Sequence, residues 1–127
     1  DARQVVVHGN RDVVGNSPAG WARRAVDLGV GEILVTSVDR EGTGVGFDLE
    51  LIAEITEAVG VPVIAHGGAG RRAELALPVL ECGASAVAAG SLFVFQSRDG
   101  GVLINYPRRS QIERLFQVAD GSHVESG

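Results

Sequence analysis

Apolar residues along this chain come in short bursts, and glycine closes nearly every one. The stretch SPAGWARRAVDLG puts Ser17 at an N-cap, Pro18 at the first helical position and Gly29 at the stop, with Trp21, Ala25 and Leu28 on one face. Those features predict a helix of about three turns. EILVTS (32–37) follows as a run of strand length, and after it comes a polar, glycine-rich loop, VDREGTGVGF. Asp48 then caps a second predicted helix, whose apolar residues Leu51, Ile52, Ile55, Ala58 and Val59 recur at helical spacing before Gly60 ends it. VPVIA (61–65) reads as strand, HGGAG as loop, RRAELALPVLECG (71–83) as a helix that Pro78 kinks or shortens, and ASAVAAGSLF (84–93) as another strand. A last helix is predicted from Pro107 to Ala119 with Ile112, Leu115 and Phe116 inward, and residues 120–127 read as a frayed tail. Near the start, His8 reads as a turn residue between two short strands.

Three joints, LGVGEILV, VGVPVIA and CGASAVAA, run helix end, glycine, small residue, apolar strand. They mark an internal repeat of roughly 25 to 30 residues, the size of one strand-helix unit. Continuous apolar strands separated by helices imply an α/β fold with parallel strands covered on both faces. A doubly wound sheet and an eight-fold barrel both fit, and in both the ligand meets the loops at the C-terminal ends of the strands.

Composition narrows the setting. At 127 residues and 45% hydrophobic, the chain is one domain's worth or a piece of a larger one, with enough apolar surface for a core. A formal net charge of -5 disfavours nucleic acid as the main ligand, despite the local pairs Arg23/Arg24, Arg71/Arg72 and Arg108/Arg109. The single cysteine, Cys82, excludes an internal disulfide, lies in an apolar stretch that reads as core, and fits a reducing, cytoplasmic setting. No apolar run reaches the roughly 18 to 20 residues that span a bilayer, so no membrane role is expected. The chain holds no methionine, even at position 1, and so reads as a fragment lacking its N-terminal part.

The polar residues that could carry chemistry gather at the predicted strand ends: Asp1, then Thr36, Asp39, Arg40, Glu41 and Gly42, then His66 to Gly70, then Gly90 and Ser91. HGGAG at the start of a helical segment offers backbone N–H groups with no side chains to keep an anion away, and Arg71 and Arg72 add positive charge. That suits a phosphate, but the same glycines can serve only to make a tight turn. The small-residue turn AAGS (88–91) adds to the phosphate reading if the two strands are the last two of a barrel, whose loops often build such a site together. DREGTGVGF lacks the spacing of a dinucleotide fingerprint, and no P-loop lysine pair occurs. Asp39, Arg40 and Glu41 can equally form a solvated loop, and His66 can be a structural, hydrogen-bonded histidine. The three histidines, with His123 in the tail, share no metal-ligand spacing, so no metal is expected.

Taken together, GEILVTSVDREGTGVGFDLELI, PVIAHGGAG and GASAVAAGSLFVF resemble the cyclase subunit of imidazole glycerol phosphate synthase through nearly the whole chain. The resemblance implies the C-terminal half of a (βα)8 TIM barrel, from the end of barrel strand five through helix eight, over residues 1–119. In that family GEILLTSIDRDGT-like, PIIA(S/C)GGAG-like and GADA-like stretches attend barrel strands six, seven and eight. DAR at residues 1–3 matches the end of strand five, so Asp1 inherits a catalytic acid/base role; the family's other catalytic aspartate ends strand one, which is not part of this chain. The resemblance further implies one substrate phosphate on Gly68, Ala69, Gly90 and Ser91 with Gly42 adjacent, Thr36 lining the pocket, and no cofactor.

The reaction so implied is that of a lyase. Ammonia from a partner glutaminase subunit and a bis-phosphorylated ribosyl substrate give imidazole glycerol phosphate, a step of histidine biosynthesis, and an aminoimidazole carboxamide ribotide. Three departures stand out: Glu41 replaces the family's aspartate, His66 replaces a small serine or cysteine, and FVFQSRDGGVLINYP replaces a shorter charged connection. Glu41 and His66 are therefore candidate specificity residues. The last departure looks more like the paralogues that work with sugar amidotransferases in surface-polysaccharide synthesis. A non-catalytic half-barrel is the remaining alternative.

Overall fold

The computed structural model describes residues 3–9, 11–95 and 101–119. Two short strands, β1 (Val5–Val7) and β2 (Asp12–Gly15), pair antiparallel around a turn in which His8 adopts φ 53°. Three units of helix and parallel strand follow. The elements are α1 (Pro18–Asp27), β3 (Ile33–Thr36), α2 (Leu49–Ala58), β4 (Val63–His66), a 3₁₀ turn (Arg72–Ala76) running into α3 (Leu77–Cys82), β5 (Ala86–Val87), α4 (Ser91–Val94) and α5 (Arg109–Ala119). The sheet has the order β3-β4-β5, all parallel. This is an α/β fold consistent with part of a TIM barrel.

Local chemistry explains most of the boundaries. Ser17 Oγ accepts the Gly20 N–H at 3.0 Å to cap α1, and the Asp48 carboxylate accepts the Leu51 N–H at 3.1 Å to cap α2. Asp48 also anchors the chain's start, because the Arg3 guanidinium reaches it at 3.2 Å and Glu50 at 2.6 Å. Cys82 closes α3, and Gly83, at φ 72°, supplies the left-handed stop.

The sheet's register sorts its side chains. Val35, Val63 and Ala65 lie on the face covered by helices, where Ala22, Leu51 and Ile55 form one buried cluster with Val35 and Val63. Ile52, Phe47, Leu75, Cys82 and Ala84 pack with Ala65 in another, against which the partly buried Ile112 and Leu115 of α5 rest. Leu34 and Ile64 alternate to the opposite face, and Leu34 is 58% exposed there. Both faces were expected to be covered; among the described residues only one is.

Three expectations change. The buried residues of α1 are Ala19 and Ala22, not Trp21 and Leu28, because small side chains let α1 approach α2 closely while Leu28 is 80% exposed. Trp21 lies instead over Gly15, whose missing Cβ would stand 2.1 Å from the indole nitrogen. The helix expected at 71–83 splits into the 3₁₀ turn and α3, with Pro78 in the first turn of α3, where its missing N–H costs nothing. The strand expected at 84–93 is only Ala86–Val87; Gly90 breaks the apolar run, and Ser91–Val94 closes into a helical turn. The short run's periodicity alone could not separate these outcomes. The tail at 120–127 lies outside the described residues.

Candidate functional site

β3, β4 and β5 run parallel, so their C-terminal ends share one rim. A cleft of about 70 Å³ opens there. Gly42 from the loop after β3, Gly68 and Ala69 from the loop after β4, and Gly90 and Ser91 after β5 all line it, together with Glu41 and His66. Thr36 does not line the cleft; its hydroxyl stands 3.1 Å from His66 Nδ1, directly across the β3-β4 register. Asp1 lies outside the described residues. Among the described residues no group of three or more His, Cys, Asp and Glu side chains could hold a metal ion.

The two glycine-rich loops hold each other. Gly46 donates its N–H to the Gly68 carbonyl at 2.7 Å, and Ser37 donates to the His66 carbonyl at 3.2 Å. A Cβ on Gly67 would stand 2.7 Å from the Ser37 carbonyl oxygen, one on Gly68 2.2 Å from that of Gly46, and one on Gly70 2.0 Å from that of Gly44. Gly67 and Gly68 also take φ values of 95° and 99°, which L side chains rarely adopt. Arg40 completes the lock, donating to the carbonyls of Gly46 and Phe47 at 3.3 and 3.0 Å. The glycines after β4 are thus required by backbone-to-backbone packing, whatever else they bind.

Charge is placed differently from the expectation. Glu74 Oε2 accepts the N–H groups of Gly70 and Arg71, each at 3.1 Å, and Arg71 Nε donates to Glu74 Oε1 at 3.0 Å. Burial by itself would raise the Glu74 carboxyl, but these bonds and the guanidinium outweigh it and hold the group below the usual carboxylate range. Arg72 donates to the Asn105 carbonyl at 3.2 Å. Neither arginine lines the cleft. Asp39 and Glu41 are exposed, as a solvated loop predicts, but Arg40 between them is a structural clamp. Cys82 is buried and donates to the Leu49 carbonyl; burial, then the Glu81 charge, pushes its thiol up, which leaves it inert.

The model of the family described as "Histidine biosynthesis protein" matches residues 1–99, a span that includes every cleft residue. The chain belongs to the histidine biosynthesis protein family. Relatives in this family are named imidazole glycerol phosphate synthase subunit HisF. The protein from Leifsonia xyli is 53% identical over 70% of this chain and 35% of its own length. That from Pyrobaculum aerophilum is 48% identical over 73% and 36%, and that from Streptomyces griseus 50% identical over 72% and 36%. The chain therefore spans little more than a third of the length of these HisF relatives.

Within this family member, sequence reasoning missed Arg40, Ser37 and Glu74 as the residues that fix the rim loops. Glu74 carried one signal, a carboxylate three residues after the start of the segment that follows a glycine turn, where free N–H groups collect. Arg40 carried none, since its acceptors are carbonyls several residues along the same loop.

Proposed function

We propose that the chain is the C-terminal half of a (βα)8 barrel, from the end of barrel strand five through helix eight. It belongs on this reading to an ammonia-using cyclase of the imidazole glycerol phosphate synthase type. β3, β4 and β5 are then barrel strands six, seven and eight, and the β1–β2 hairpin sits in the loop after strand five. The observation that carries the reading is the cleft. Loops from three adjacent parallel strands converge on it, and the last is followed by the short helix α4. In (βα)8 enzymes the loops after the last two strands, with a short extra helix, frequently form a phosphate site.

On this reading the backbone of Gly68, Ala69, Gly90 and Ser91 holds one phosphate of a bis-phosphorylated ribosyl substrate, and the bare Gly42 leaves room for it. Asp1 supplies one of two rim carboxylates that move protons during ring closure. The other comes from the barrel's first strand, and a glutaminase subunit delivers ammonia. The test combines the full-length protein with ammonium and the ribosyl substrate and follows imidazole glycerol phosphate. Turnover that Asp1→Asn abolishes supports the reading. No turnover in a folded protein rejects it.

A second reading, the paralogue that works with a sugar amidotransferase, is favoured by one feature. The family match stops at residue 99, and residues 102–105 beyond it pair with residues 93–95. Phe95 bridges Val102, and Leu103 and Asn105 donate to the carbonyls of Val94 and Phe93, leaving Val102, Ile104 and Tyr106 well exposed. Intact glutaminase binding without cyclase turnover would select the paralogue. An upstream sequence with no second rim aspartate would select a non-catalytic half-barrel.

A further inference from the structure

We infer that His66 is itself a ligand of the phosphate in the cleft, donating from Nε2, and that Thr36 is the positioning residue that holds the ring with this nitrogen toward the ligand. The inference rests on the phosphate reading above and adds a side chain to a site otherwise made of backbone.

His66 ends β4, is half-buried and lines the cleft beside Ala69 and Ser91. Its Nδ1 is taken by Thr36 Oγ1 at 3.1 Å, so Nε2 is the ring nitrogen left for a ligand. The threonine hydroxyl is both donor and acceptor, and this matters. It donates to a bare Nδ1, which puts the neutral ring's proton on Nε2, or accepts from Nδ1–H of the imidazolium, whose Nε2 is protonated as well. Both arrangements present an N–H to the cleft. The remaining one, a neutral ring protonated at Nδ1, would aim a lone pair at an anion and is disfavoured once the anion binds.

The rest of the lining strengthens the case. Of the described side chains on the cleft, only those of His66 and Ser91 can donate a hydrogen bond, and Glu41 is an acceptor that repels an anion. Arg71 and Arg72 are engaged by Glu74 and Asn105. A bond from imidazole to phosphate is charge-assisted and stronger than a neutral one.

The test titrates inorganic phosphate into the full chain, following backbone amide signals of Ala69 and Ser91 and the imidazole nitrogens of His66. Gly90→Asp, which sets a carboxylate on the cleft where nothing lies within 4 Å of the new Cβ, should abolish binding. His66→Ala should weaken phosphate about tenfold. His66→Gln, which keeps an N–H donor near the Nε2 position, should recover most of that loss. Thr36→Val, which removes the partner of Nδ1, should weaken binding and shift the imidazole nitrogen signals, and Thr36→Ser should restore both.

Unchanged affinity in His66→Ala, with Gly90→Asp inactive in binding, would leave the phosphate site standing and overturn the role of His66. Absence of phosphate binding in the unmodified chain would overturn both. Should His66→Ala lose the native amide spectrum, the Gln and Thr36 variants decide: full binding in Thr36→Val with an unshifted imidazole spectrum overturns the inference.

Discussion

Gly68→Ala should unfold the rim, and its cost can be worked from the two loops it separates. The new Cβ would lie 2.2 Å from the Gly46 carbonyl oxygen and 2.9 Å from Arg40 Cβ, on a residue with φ 99°. Holding an L-residue in left-handed backbone costs roughly 1–2 kcal/mol. Moving the Gly46 carbonyl aside also breaks the 2.7 Å bond from Gly46 N–H to the Gly68 carbonyl and loosens Arg40, at about 1 kcal/mol for each bond lost. The sum is about 3–4 kcal/mol, a large part of the roughly 5–15 kcal/mol that holds a domain together.

Urea denaturation checks the figure. With a slope of about 1–3 kcal/mol per molar for small proteins, the midpoint should fall by about 2 M. Gly90→Ala is the control: its φ is −111° and nothing lies within 4 Å of the added carbon, so stability should hold to within about 0.5 kcal/mol. Equal midpoints for the two variants would refute the claim that the glycines after β4 exist for loop packing. The same comparison shows why an acidic group at position 68 would be a poor probe of anion binding, since any side chain there disturbs the fold first.

Glu74 ties stability to pH. Its carboxyl is held low in the folded chain despite burial, so it contributes stability above the unfolded value near ~4.3 and loses it as pH falls through the lower folded value. Urea midpoints for the unmodified chain and Glu74→Gln should therefore converge between about pH 5 and pH 3, whereas a gap independent of pH would contradict this. Leu34 tests the barrel: at 58% exposure, Leu34→Ala should change the isolated chain's stability by less than about 0.5 kcal/mol. On the half-barrel reading a closed barrel buries this side chain in the full-length protein, and the same change there should cost about 2–5 kcal/mol; equal small effects in both would argue against closure.

Much of the fold was legible because glycines, caps and apolar runs agree with one another. Ser17 and Asp48 cap as expected, Gly29, Gly60 and Gly83 fall at or just past helix ends, and the parallel sheet follows from the alternation of units. What was not legible depends on tertiary approach. Ala22 packs with Leu51 and Ile55 of α2 because close contact rewards small residues, and periodicity scored on hydrophobicity ranks Trp21 and Leu28 above it and the equally buried Ala19. At the site, five glycine, alanine and serine positions named from the sequence meet in one cleft, while the partners of Arg71 and Arg72 could not be foreseen. A local count of charge does not say where a flexible guanidinium goes.

Register is what connects this fold to its site. Thr36 and His66 are a parallel-paired couple at the tips of neighbouring strands, two residues beyond the Leu34–Ile64 pair and on the same face. A slip of either strand by one residue would turn its own member of the pair toward the helices and bring the apolar Val35 or Ala65 position to the rim instead. The buried Val35, Val63 and Ala65, packed beneath α1 and α2, fix the register against that slip. The helix-covered face therefore determines which chemistry the other face presents. A histidine at the end of β4 becomes useful to a ligand because the strand beside it ends in a hydroxyl at the same level.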